Sequence, residues 1–240
     1  MICAGNWKMN KTPAQAAAFV KQLRSEVGDS SDFVILPPAL LASTVAAELQ
    51  GSKIGWGGQN CYFEAKGAFT GETSPMVLKE MGAGFCLVGH SERRAIFGET
   101  DQLLAKKFQA VQSVGLTPIL CVGETLAERE TGRTEEVILN QLRAGLSLGA
   151  PVKPFWIAYE PVWAIGTGKV ATPDQVQDAH SILREALPEP GKNAPILYGG
   201  SAKPDNVASL ASLNNVDGFL IGGASLEVAD FVKIHTLSKR

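Results

Sequence analysis

No stretch of this sequence is apolar for long enough to cross a bilayer, which predicts a protein without a membrane span. Its 22 basic and 24 acidic residues nearly cancel to a net charge of −2. There is no basic run or aromatic-interleaved patch of the kind nucleic acid requires. An anionic partner must therefore be captured locally. Cysteine is scarce: Cys3, Cys61, Cys86 and Cys121 are scattered, form no Cys-x-x-Cys pair and follow no signal-peptide pattern, so the expected location is a reducing cytoplasm. Three of the four sit in apolar runs and read as small buried hydrophobes. His90, His180 and His235 are too dispersed for a metal site, and no Gly-x-Ser-x-Gly elbow occurs. No metal site is expected from them.

The chain does have enough apolar residue, 45% of 240, to bury a sizeable core in one large domain or two small ones. Short apolar runs recur at Ile2 to Ala4, Phe33 to Leu36, Lys53 to Trp56, Phe85 to Val88, Pro118 to Val122, Phe155 to Tyr159, Pro195 to Tyr198 and Gly218 to Ile221. Most are followed by helical spacing. After the first, Ala16, Phe19, Val20, Leu23 and Val27 share a face behind Thr12-Pro13-Ala14-Gln15, a capping box with proline in the first turn. Thr172-Pro173-Asp174-Gln175 repeats the device ahead of Val176, Ala179, Leu183 and Leu187, with Pro188 as the stop. Strands apolar throughout, alternating with amphipathic helices, imply a parallel sheet covered on both faces. Eight such units suit one closed (β/α)8 barrel spanning 1–240 better than a doubly wound sheet of five or six strands. No linker divides the chain.

Two segments exceed ordinary loop length. Residues 60–75, with Gly67, Gly71 and Pro75, read as either a disordered excursion or an interaction arm. Residues 161–171 follow Glu160. Within them Gly168-Lys169 hints at a nucleotide loop, but Trp163 occupies the place of its first glycine and Val170 that of the magnesium-binding hydroxyl. Gly166-Thr167-Gly168 with Ala171 matches a dinucleotide fingerprint only formally, because it begins six residues past the strand end.

Barrel chemistry belongs to the strand C-termini. The polar residues just past each run are Asn6 and Lys8, Asn60, His90 with Ser91 and Glu92, Glu124, Glu160, Ser201, and Gly222-Gly223. A histidine at a strand-helix junction is more often a cap or surface residue, but a helix N-terminus also disfavours the imidazolium and keeps the ring a neutral donor. Glutamate before proline is commonly just solvated. Here Pro161, Trp163 and Ile165 offer apolar cover that would desolvate Glu160 and strengthen it as a base. Tyr198-Gly199-Gly200-Ser201 and Ile221-Gly222-Gly223-Ala224-Ser225 follow the seventh and eighth strands, where barrels bind phosphate; taken singly, either is as well read as a tight turn.

Asn6-Trp7-Lys8-Met9-Asn10, Gly89-His90-Ser91-Glu92-Arg93-Arg94, Ala158 to Gly168, Tyr198 to Ser201 and Gly218 to Ser225 together resemble the triosephosphate isomerase family, in order and across the whole chain. The resemblance implies interconversion of dihydroxyacetone phosphate and glyceraldehyde 3-phosphate, in glycolysis and gluconeogenesis, without metal or cofactor. It implies Glu160 as the base, neutral His90 as the electrophile at the carbonyl, and Lys8 and Asn6 at the reacting groups. Gly166, Ser201, Gly222 and Gly223 would hold phosphate, Ser91 and Glu92 would support the site, and 161–171 would be its lid. Residues 60–75 resemble the family's dimer arm, with Thr70 at the tip reaching the neighbouring subunit of a homodimer near His90 and Lys8. Three departures stand out: Ala202 after the phosphate serine where valine is common, Val170 after the loop lysine, and a short N-terminus that leaves the first strand's pairing open. A different phosphate-binding barrel enzyme, such as an indole-glycerol-phosphate synthase-like protein, and a non-catalytic sugar-phosphate binder are the alternatives.

Overall fold

The computed structural model describes residues 1–149, 151 and 154–239. Eight strands, β1 (Ile2–Asn6), β2 (Phe33–Leu36), β3 (Gly55–Gly58), β4 (Phe85–Val88), β5 (Thr117–Val122), β6 (Trp156–Tyr159), β7 (Ile196–Tyr198) and β8 (Gly218–Ile221), pair in parallel and in chain order around a closed barrel. β1 pairs with both β2 and β8, so the first strand's pairing is made on both sides. Ten helices surround the strands among the described residues: α1 (Pro13–Val27), α2 (Ala42–Glu48), α3 (Pro75–Glu80), α4 (Ser91–Phe97), α5 (Asp101–Ser113), α6 (Leu126–Glu130), α7 (Thr134–Gly145), α8 (Pro173–Ala186), α9 (Val207–Ala211) and α10 (Val228–Ser238).

Both capping boxes form as their sequences dictate. Thr12 and Thr172 accept the backbone N–H of Gln15 and Gln175, whose side chains accept in return, arrangements worth about 1 kcal/mol each. On α1 the residues Ala16, Phe19, Val20 and Leu23 are buried, and on α8 Val176, Ala179 and Leu183. The barrel interior is closed by Ala4, Val34, Leu36, Leu87, Ile119, Cys121, Ala158, Leu197 and Leu220, a cluster separate from the larger one between strands and helices. All four cysteines are free and buried, and burial pushes the thiol of Cys3 up to about 12 and that of Cys121 well above its ordinary value. They are packing residues.

The third strand departs from expectation. It lies at Gly55–Gly58, two residues later than the run Lys53 to Trp56. Side-chain hydrophobicity misplaces it because the strand is mostly glycine, and the reason is close packing. A Cβ on Gly55 would lie 2.8 Å from the Phe85 ring, and one on Gly57 would lie 2.2 Å from the Phe85 carbonyl oxygen.

His180 on α8 is fully buried beside the rings of Tyr159 and Tyr198, at centroid distances of 5.9 and 6.5 Å. Its Nδ1–H donates to the Asn215 carbonyl at 2.8 Å, and Nε2 has no hydrogen-bond partner among the described residues. Burial pulls its pKa from 6.5 down to about 4. Between those values the unfolded chain binds the proton and the folded chain does not, so stability is lost as pH falls through that window, by up to about 3 kcal/mol. His180→Asn, which keeps an N–H for Asn215, is expected to flatten the dependence of the urea midpoint on pH from about 6.5 to 4.5. An unaltered slope would assign the acid sensitivity to other groups.

Candidate active site

The strand ends bring their polar side chains to one rim. After β1 the chain turns through Lys8 with a left-handed φ of 50°, uncommon for a non-glycine residue. Two contacts hold that turn. Asn6 Oδ1 accepts the Lys8 N–H at 3.0 Å, and the Gln59 amide donates to the carbonyls of Lys8 and Leu36 at 2.9 and 2.8 Å. The Lys8 ammonium lies 2.5 Å from Glu92 Oε1.

His90 both caps α4 and faces the cleft. Its Nδ1 accepts the Glu92 backbone N–H at 3.3 Å, so the ring proton is on Nε2, which donates to Glu160 Oε1 at 2.9 Å. The other Glu160 oxygen accepts the Ser91 N–H at 2.8 Å. Ser91 thus contributes its backbone, as the first residue of α4. Burial disfavours the imidazolium, but the Glu160 carboxylate against Nε2, aided by Glu92, outweighs it, and the His90 pKa moves upward. Nδ1 as an acceptor at the helix end and the carboxylate at Nε2 thus act on the ring in opposite directions.

Glu160 is 2% exposed, at the end of β6. Its seat is made by glycines. A Cβ on Gly123 would fall 1.7 Å from the Glu160 carbonyl oxygen, and one on Gly199 would fall 2.9 Å from its Cγ. The apolar cover differs from the one expected. Trp163 turns away to donate its indole N–H at 2.9 Å to Glu124, a fully buried carboxylate that also accepts from the Tyr159 hydroxyl at 3.1 Å and from Arg129 at 3.0 Å. Ile165 lines the cleft as expected, and Leu220 lines it with Ile165. Glu124 therefore anchors the beginning of 161–171 and stands outside the site.

A single cleft is lined by Asn6, Lys8, His90, Glu160, Gly166, Ser201, Gly222 and Gly223. Glu92 lines an adjoining cleft that shares Asn6, Lys8 and His90. Gly166 and Gly168 are exposed with φ of 68° and 79°. Thr70 is exposed on the 60–75 segment, away from the first cleft. Asn60 also falls short of that cleft, since its Oδ1 accepts from the buried Lys107 ammonium at 2.8 Å. Gln59 takes the role at this strand end, and the misplaced third strand concealed it. Among the described residues no group of three His, Cys, Asp or Glu side chains is placed to hold a metal ion, and no helix is long and apolar enough to cross a membrane.

The family model for triosephosphate isomerase matches residues 1–238. The chain belongs to the triosephosphate isomerase family. A triosephosphate isomerase of Bdellovibrio bacteriovorus is 51% identical over 235 residues, covering 97% of this chain and 98% of its own. Those of Endomicrobium trichonymphae and Carboxydothermus hydrogenoformans are each 48% identical, over 99% and 96% of this chain and 98% and 96% of theirs. A different phosphate-binding barrel and a non-catalytic binder are displaced by this match. The departures from the triosephosphate isomerase pattern lie at the margins of the cleft: Ala202 lines it as a buried residue, and Val170 is exposed.

Proposed function

We propose that Glu160 moves the proton, and that His90 and Lys8 stabilise the developing charge, in the interconversion of dihydroxyacetone phosphate and glyceraldehyde 3-phosphate that family membership assigns to this chain. The contact between Glu160 and His90 Nε2 carries the reading. Both carboxylate oxygens are engaged, one on His90 and one on Ser91. When Glu160 turns to the substrate carbon it frees the Nε2–H to donate to the carbonyl oxygen. It also takes the carboxylate off Nε2, while the burial that disfavours the imidazolium remains. Abstraction of the carbon-bound proton then gives an enediolate, whose oxygens face Nε2–H and the Lys8 ammonium, with Asn6 beside them. His90 passes a proton to the former carbonyl oxygen and takes one from the neighbouring hydroxyl, and return of the carbon-bound proton by Glu160 to the neighbouring carbon completes the isomerisation.

Magnitudes favour the donors over the base. Raising any carboxylate by two pKa units is worth about 2.7 kcal/mol, whereas one donor aimed at a developing oxyanion is worth about 3 to 4 kcal/mol. Glu160→Gln keeps the shape of the seat and deletes the base. Its turnover, and its exchange of substrate carbon-bound hydrogen with solvent, are expected to fall by about 10²- to 10⁴-fold. Near-normal exchange would sink the assignment.

Gly166, Ser201, Gly222 and Gly223 are positioned to hold the phosphate group, and residues 161–171 to act as a lid. The left-handed, exposed Gly166 and Gly168 support that reading, as does the tethering of Trp163 to Glu124. A closed lid keeps water from an intermediate that can otherwise lose phosphate. Replacing Gly166-Thr167-Gly168 with bulkier residues is expected to lower turnover and to increase phosphate loss. If neither moves, the segment is no lid.

The exposed apolar side chains Met9 (94%), Leu40 (92%), Ile96 (72%) and Phe97 (65%) favour a homodimer. Met9 and Phe97 line the second cleft with Lys8 and Thr73, a seat for the 60–75 segment and Thr70 of another copy. Free, buried cysteines agree with a cytoplasmic enzyme. Sedimentation at assay concentration is expected to show a dimer, and a fully active monomer would contradict it.

A further inference from the structure

The loop that carries Lys8 contains a second lysine with left-handed backbone, Lys11, at φ 74°. A non-glycine residue is strained there, so its side chain has to return something that glycine would not. It makes three contacts. The ammonium donates to the Leu226 carbonyl at 2.7 Å, and it lies 4.6 Å from the ring centre of Phe19 and 5.3 Å from that of Trp7.

Leu226 closes the short turn that begins at the cleft. Its N–H donates to the Gly223 carbonyl at 3.1 Å, while the Ser225 N–H and hydroxyl both donate to the Gly222 carbonyl, at 2.8 and 2.7 Å. These three bonds close the turn, with Gly222 and Gly223 at its near end and Leu226 at its far end. Pairing between β1 and β8 stops at Gly5 opposite Ile221, just before the two loops diverge. Beyond that rung the Lys11 ammonium spans from one loop to the other. At the near end the Lys8 stem runs beside Gly222, where a Cβ would come 3.4 Å from Lys8 Cε. The two lysines of one loop therefore bracket the turn.

We propose that Lys11 is a positioning residue for phosphate binding: by holding Leu226 it fixes the Gly222 and Gly223 N–H groups relative to Lys8. This rests on the reading of Gly222 and Gly223 as phosphate-holding groups. Lys11 touches no substrate. Its loss loosens the geometry of the phosphate cradle and leaves Glu160 and His90 as they are, so binding suffers more than the chemical step.

The test compares Lys11→Met, which keeps the stem over the rings and deletes charge and donor, with Lys11→Arg, which keeps both, by KM, kcat, Tm and competitive inhibition by inorganic phosphate. Lys11→Met is expected to raise KM and the phosphate inhibition constant in parallel by about three- to tenfold, with a smaller change in kcat, and Lys11→Arg to stay within about twofold of the parent. A fall in Tm with both constants unchanged would overturn the proposal and leave Lys11 a structural tie. If Lys11→Met does not fold, Lys11→Gln reads the same split. Gly222→Ala is the control. If it too leaves phosphate inhibition unchanged, the phosphate reading itself fails; if it weakens inhibition while Lys11→Met does not, only the role of Lys11 fails.

Discussion

In a closed ring of eight parallel strands every strand ends on the same rim, and beyond the last rung the backbone groups must find partners in neighbouring loops. That demand organises the site. The Glu160 N–H reaches back to the Val122 carbonyl at 2.8 Å, the Gly199 N–H to that of Tyr159 at 2.7 Å, and the Trp7 N–H to that of Leu36 at 3.1 Å. Each bond ties the residue after one strand to the end of its neighbour. Loops so tied approach closely, which is why glycine stands at 123 and 199, where any side chain would collide with Glu160. The rigid rim then supports reactive groups within hydrogen-bond distance of one another.

Two buried glutamates at adjacent strand ends show how surroundings divide labour. Glu124 is satisfied by a tyrosine hydroxyl, an indole N–H and a guanidinium, and so anchors structure. Glu160 accepts from an imidazole N–H and one backbone N–H, with the Cys121 thiol as a further, weaker neighbour. The same residue type is held fast or more loosely according to the number and fixity of its donors.

Much of this was legible from local pattern. Buried-strand runs, the Thr12 and Thr172 boxes and the helix faces behind them depend on neighbours a few residues away, and the structure matches them closely. β3 was not legible, because its glycines answer to Phe85, 28 residues beyond Gly57, through contacts that leave no local hydrophobic signal. At its end Gln59 supports Lys8 while Asn60 turns to Lys107, a choice made by residues distant in the chain. The orientation of Trp163 was equally hidden, since an indole beside Glu160 in sequence chose Glu124 across the rim for its N–H.

The sequence by itself determined the architecture, the motifs at the strand ends and the family they resemble, because periodicity, capping and turn chemistry act over short stretches of chain. Tertiary structure alone decided who meets whom. It set Glu160 against His90 and raised that histidine's proton affinity, it gave Lys11 a carbonyl on the far side of the ring closure, and it chose Gln59 over Asn60. Those outcomes depend on distances of a few ångströms between residues far apart in the chain, and only barrel closure sets such distances.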